Sequence, residues 1–120
     1  MATYEETLEQ CDGYKAFTRK KEQKIFSLTI CGTEKKTINE NAPFWEKCHK
    51  LEIVMLYMNK LSELPSTKIR CHQNTITLMC LQNNRLNEFP PVLYNLSKLT
   101  YLNLHGNYLS TIPQKIRCFF

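Results

Sequence analysis

The apolar residues between positions 76 and 119 fall into two series that superimpose at a constant offset of 23. Ile76, Met79, Leu81, Asn84, Leu86, Phe89, Pro90, Leu93 and Leu96 meet Leu99, Leu102, Leu104, Asn107, Leu109, Ile112, Pro113, Ile116 and Phe119. Matches at such irregular internal spacings mark an internal repeat, and a period of about 20 to 50 residues decides architecture before any single motif does. A third copy begins at Leu51, with Val54, Leu56, Asn59, Leu61, Leu64 and Pro65 in register, and about two extra residues around 69–74 lengthen it to 25. A fourth, degenerate copy is carried by Ile25, Leu28 and Ile30, with Thr33 in the place of Asn and Ile38 in the place of the Leu before Pro.

Each copy divides into three parts. Leu102 and Leu104, like Met79 and Leu81 or Val54 and Leu56, stand two apart and so face the same side of a short strand, inward. Asn107, Asn84 and Asn59 follow where the chain must turn, and an amide there can bond backbone groups that a turn leaves unpaired. Pro65, Pro90 and Pro113 fix φ and donate no hydrogen bond, which suits an irregular outer arc and excludes a central strand. One coil of strand, turn and arc cannot bury its apolar side alone, so stability must come from stacking about three or more of them. The expectation is an α/β solenoid over residues 25–120, about three and a half repeats starting near 25, 51, 76 and 99.

The ends differ. Residues 1–24 do not fit the repeat. Thr3 followed by Glu6 suits a capping box, and Tyr4, Leu8 and Cys11 have helical spacing up to a break at Gly13. The segment is read as a short N-terminal helix capping the first coil, with a solvated tail as the alternative, since an acidic first part (Glu5, Glu6, Glu9, Asp12) precedes a basic second part (Lys15, Arg19, Lys20, Lys21, Lys24). At the other end the chain stops at Phe120, with no further repeat or polar cap to cover Leu102, Leu104, Leu109 and Ile112. Self-association through that uncapped C-terminal coil is one expectation; a chain that is a fragment of a larger protein is another.

The pattern L-x-x-L-x-L-x-x-N-x-L followed by x-x-L-P-x-x-I-x-x-L, met nearly letter for letter at 76–96 and 99–119, resembles the leucine-rich repeat family. The resemblance covers roughly residues 25–120 and weakens toward the N-terminus; the 23-residue unit with Leu-Pro is similar to the class common in intracellular signalling adaptors. It implies a short horseshoe segment with a concave parallel β-ribbon and irregular or 3₁₀ convex arcs, and a protein partner such as a small GTPase, a phosphatase or a cytoskeletal protein.

Composition narrows the function. The chain has 120 residues and a net charge of +5, enough for one domain, and short of the dense basic face that nucleic-acid binding requires. No window approaches the run of about 20 apolar residues that spans a membrane, and Glu5, Glu6 and Glu9 stand where a secretory signal carries positive charge. A cytoplasmic location follows as an expectation, with the six cysteines reduced.

Little points to catalysis. Gly13, Gly32 and Gly106 are too scattered for a phosphate-binding loop. Cys48-His49 and Cys71-His72, 23 residues apart, invite a zinc reading, but finger-type sites want two ligands two to four residues apart in each half, and neighbouring residues on an extended chain point to opposite sides. They read as turn residues, with neither a metal nor a cofactor expected. A Cys-His nucleophile lacks a recurring acidic partner. Asn95-Leu96-Ser97 matches a glycosylation sequon, but Leu96 is a core position of the repeat.

The outward strand positions are where function is expected. Stacking aligns Ile53, Leu78 and Tyr101, then Met55, Cys80 and Asn103, then Tyr57, Gln82 and His105. A contiguous apolar and aromatic group rimmed by amides and a histidine has the composition of a protein-binding surface. The expected binding residues are Ile53, Met55, Tyr57, Leu78 and Tyr101 as anchors and Gln82, Asn103 and His105 as orienting contacts. The sequence thus predicts a non-catalytic adaptor or scaffold in signalling; the rival is a truncated repeat-bearing piece of a phosphatase, kinase, GTPase or ubiquitin ligase.

Overall fold

The computed structural model describes residues 13–19 and 24–112. Five strands form one sheet in the order of the chain: β1 (Tyr14–Arg19), β2 (Lys24–Ile30), β3 (Cys48–Met55), β4 (Leu78–Cys80) and β5 (Tyr101–Asn103). β2 to β5 run parallel, each pair joined by an outer segment. The register places Leu28 beside Val54, Val54 beside Met79 and Met79 beside Leu102. Residues one repeat apart are therefore direct neighbours on adjoining strands.

Over residues 14–19, β1 corrects the reading of the N-terminal segment as a capping helix or tail. Residues 14–19 form a strand antiparallel to β2, so the sheet is mixed at this edge and the ribbon is not wholly parallel. The cause is visible in the burial pattern: Tyr14 and Ala16 pack against the core while Lys15 and Phe17 are exposed, a period of two. Gly13 precedes the strand at φ +78, and its carbonyl accepts the Cys31 N–H at 3.0 Å. The helical spacing of Tyr4, Leu8 and Cys11 lies outside the described residues. Among the described residues the α-helix is Ser66–Arg70 (α1).

The L-x-x-L-x-L spacing has a backbone consequence. Positions three apart cannot share one face of a regular strand, so the parity must slip once. Register shifts between Ile25 and Ser27 against β3 accomplish this in the second strand, leaving Ile25, Leu28 and Ile30 all fully buried. The inward residues stack into columns across the sheet, with Ile25, Leu51, Ile76 and Leu99 at one end and Ile30, Leu56, Leu81 and Leu104 at the other, all 5% exposed or less.

The outer segments close the core from the far side. Two are 3₁₀ turns, Pro43–Lys47 and Pro91–Asn95, each starting with a proline whose fixed φ suits the first helical position. The third is α1, in the unit two residues longer, which corrects the expectation of irregular or 3₁₀ arcs throughout. Ile69 from α1, and Val92 and Leu93 from the turn over 91–95, are buried. Phe44 and Trp45 fill the corresponding place in the first parallel unit, their rings 4.8 Å apart, with Trp45 Nε1 donating to the Asn39 carbonyl at 2.8 Å. In the last described unit Leu102 and Leu104 are buried and Leu109 and Ile112 half-buried, so the apolar side expected to be bare is largely covered.

Candidate functional site: the outer face of the sheet

An asparagine ladder fixes the spacing of the units and hence the sheet face above them. The Asn84 amide nitrogen donates to the carbonyls of Leu56 at 2.8 Å and Leu81 at 3.0 Å, and its oxygen accepts the Leu61 N–H at 3.1 Å. Asn107 does the same one unit on, donating to Leu81 and Leu104 and accepting from Leu86. Asn59 donates to Ile30 and Leu56, and its oxygen accepts both the N–H and the hydroxyl of Thr33. Thr33 thus occupies the asparagine position of the first parallel unit and is buried there. Its hydroxyl donates to Asn59 and also accepts the Lys35 N–H at 3.1 Å, a bond within its own unit.

Above this frame the outward residues lie in three rows. The first runs Phe17, Ser27, Ile53, Leu78, Tyr101 across all five strands, and the second runs Lys15, Thr29, Met55, Cys80, Asn103. Just beyond the strand ends, backbone bonds from Met58 to Gln82 and from Asn83 to His105, with Cys31 to Gly13 on the other side, carry a third row of Cys31, Tyr57, Gln82 and His105. Ile53, Leu78 and Tyr101 are side by side, as are Met55, Cys80 and Asn103. Tyr101 is 47% exposed and Phe17 56%, and Ile53, Met55, Tyr57 and Leu78 are half-buried. An aromatic ring therefore stands at each edge of an apolar row.

Lys15 and Phe17 also belong to this face, which the reading of residues 1–24 as a cap or tail leaves out. The signal in the sequence is the alternation of Tyr14, Ala16 and Thr18 with Lys15, Phe17 and Arg19, the period of a strand.

The chemistry of the face is that of neutral, hydrogen-bonding groups. Contact with the Cys31 thiol, then the charge that thiol would carry, holds the Tyr57 hydroxyl above its ordinary range, so it stays protonated. Burial raises Cys80 as well. Gln82 Oε1 is buried with no hydrogen-bond donor among the described residues.

The two Cys-His pairs do come together: Cys48, His49, Cys71 and His72 line one cavity of about 340 Å³ with Lys50, Asn74 and Thr75. Their chemistry is taken up internally. His72 Nδ1 accepts the Leu51 N–H at 3.2 Å, Cys48 is pushed up to about 12 by burial, and Cys71 Sγ donates to the Thr67 carbonyl. Among the described residues no three His, Cys, Asp or Glu are grouped to hold a metal ion, and no helix is long and apolar enough to cross a membrane.

Residues 98–119 match the family model for the Leucine Rich Repeat, which supports a leucine-rich repeat protein. Domains of this kind are generally protein–protein interaction modules and typically non-catalytic. No curated protein and no solved structure matches the chain.

Proposed function

We propose that the protein is a non-catalytic interaction module that binds a protein partner on the outer face of its sheet, serving as a cytoplasmic adaptor or scaffold in signalling. The repeat domain is taken as residues 25–120, wound as a short curved solenoid with this face on its concave side and β1 extending the edge. Ile53, Met55, Tyr57, Leu78 and Tyr101 are the anchors, and Gln82, Asn103 and His105 the orienting contacts.

The observation that carries this reading is the in-register row Ile53, Leu78, Tyr101, a contiguous apolar and aromatic strip that Ser27 separates from Phe17, on a sheet whose other face is the core. Aromatic and thioether side chains are enriched at protein interfaces, and a rigid sheet loses little conformational entropy on docking. Affinity then concentrates in a few central anchors.

The test compares proteins captured from cell lysate by the wild type, by Leu78→Arg, and by Lys98→Glu, an exposed position outside the rows. A set of partners retained by wild type and K98E and lost with L78R, at unchanged circular dichroism, is the expected result. Identical capture by all three proteins contradicts it.

A further inference from the structure

We propose that the cavity at the start of β3 and the approach to β4 binds a phosphate group, free or as a small monoester, through Lys50, His49, His72 and Asn74, with Lys68 beside them. The proposal goes beyond the binding-face reading and does not depend on it.

An irregular backbone builds the cavity. From Ile25 to Ser27 β2 advances two residues while β3 advances five, from Cys48 to Ile53, so His49 and Lys50 fall in a bulge. Lys50 sits there at φ +49, a left-handed conformation uncommon in residues other than Gly, Asn and Asp. Such outliers gather at ligand sites. Against the bulge lies segment 71–75 of the next unit: the Leu51 N–H donates to His72 Nδ1 at 3.2 Å, and the Thr75 hydroxyl donates to the Leu51 carbonyl at 2.7 Å. The space of about 340 Å³ lined by both is at the small end of ligand pockets, which begin at about 300 Å³.

What remains for a ligand is a set of donors. Cys48 stays protonated and donates to the Phe44 carbonyl, Cys71 donates to the Thr67 carbonyl, and the Thr75 hydroxyl gives its proton to the carbonyls of Leu51 and His72. Because His72 Nδ1 accepts from Leu51, Nε2 carries the proton of the neutral ring. Asn74 Oδ1 accepts the Ser97 hydroxyl at 3.4 Å, which leaves its NH₂ group to donate. Lys50 is exposed at the rim, and the Lys68 ammonium on α1 is close enough to act on the Cys48 thiol. Among the described residues that line the cavity there is no carboxylate; the nearest along the chain, Glu46 and Glu52, lie outside it.

Phosphate matches this set. A monoester carries about −1.5 to −2 charges at neutral pH and three acceptor oxygens, which two lysines and several N–H donors meet from different sides. Burial, and then His49, hold the proton affinity of His72 down, and a dianion in the same cavity acts in the opposite sense on both rings. Bound there, it ties the bulge of β3 to the segment that leads into β4.

The experiment titrates the full chain with inorganic phosphate, against sodium chloride at equal ionic strength, and follows the imidazole ¹H–¹³C signals of His49, His72 and His105. Saturable shifts at His49 and His72 with His105 unmoved are expected, and a higher His72 pKa in saturating phosphate. Lys50→Met should weaken binding about tenfold or more, the worth of a hydrogen bond to a charged group, and Lys68→Met repeats the test from α1. Lys36→Met, whose carbonyl meets the Ser62 N–H beyond the far ends of the strands, should bind as wild type does. Phosphoserine in place of phosphate separates the sources: tighter binding than the free ion assigns the site to a monoester and weaker binding to the ion, and either supports it. Signals that phosphate leaves unmoved, shifts that chloride reproduces, or affinity that K50M and K68M retain in full overturn the proposal.

Discussion

Asn84 donates to the carbonyl oxygen of Leu56, 28 positions earlier, and through that 2.8 Å bond ties the turn of one repeat to the strand end of the one before it. The same amide bonds Leu81 and accepts from Leu61, so one buried side chain satisfies three backbone groups. Replacing Asn84 by Leu leaves two carbonyls and an N–H without their partner. At about 1–3 kcal/mol for a buried polar group left unsatisfied, the variant should lose about 3 kcal/mol or more of stability, read as a lower urea midpoint. A midpoint within error of wild type contradicts the structural role of the ladder.

The glycines offer a contrast that separates backbone strain from crowding. Gly13 and Gly32 both have positive φ, +78 and +68, but a Cβ on Gly13 meets the Cys31 carbonyl oxygen while one on Gly32 meets nothing within 4 Å. Gly32→Ala should cost about 1–2 kcal/mol, the ordinary penalty of a left-handed residue. Gly13→Ala must also displace the contact that starts β1. Hydrogen exchange should show faster exchange of the β1 and β2 amides in G13A and unchanged protection there in G32A.

Acid should loosen the boundary between the second and third parallel units. His72 is held below the ordinary histidine value of 6.5, by burial first and by His49 second, and its Nδ1 accepts the Leu51 N–H in the neutral form. The unfolded chain therefore binds a proton that the folded chain resists, and stability present above pH 6.5 is lost as the pH falls below it. Urea midpoints measured from neutral pH downward should decline through that region, and His72→Gln should flatten the decline. Parallel profiles for the two proteins contradict this assignment.

The cysteines should differ in reactivity by burial alone. The Cys48 thiol is pushed up to about 12 and stays protonated at neutral pH, whereas Cys71 is exposed. Since the thiolate is the reactive form, alkylation followed by peptide mass spectrometry should label Cys71 well before Cys48. Equal labelling in the native protein indicates that the start of β3 opens.

Much of this was legible in the letters. The constant offset of 23 places Leu78 beside Tyr101 and Met79 beside Leu102 because a repeat converts sequence period into lateral neighbourhood. Thr33 and Asn59, in register in the degenerate first copy, are hydrogen-bonded partners for the same reason. The strand over 14–19 was harder to see. Its inward residues, Tyr14, Ala16 and Thr18, are small or polar, and Lys15 and Arg19 make the stretch look solvated; the pairing with β2 that fixes it is a tertiary fact. The helix of α1 escaped likewise, since the two extra residues in that unit announce a longer arc without saying how its backbone closes.

The central claim is that residues one repeat apart stand side by side and so assemble the outer face from separate stretches of chain. Nuclear Overhauser contacts between the side chains of Leu78 and Tyr101, and of Ile53 and Leu78, measure this directly. Strong cross-peaks for both pairs are predicted. Their absence in a folded protein, with those residues contacting only their own repeat, contradicts the account.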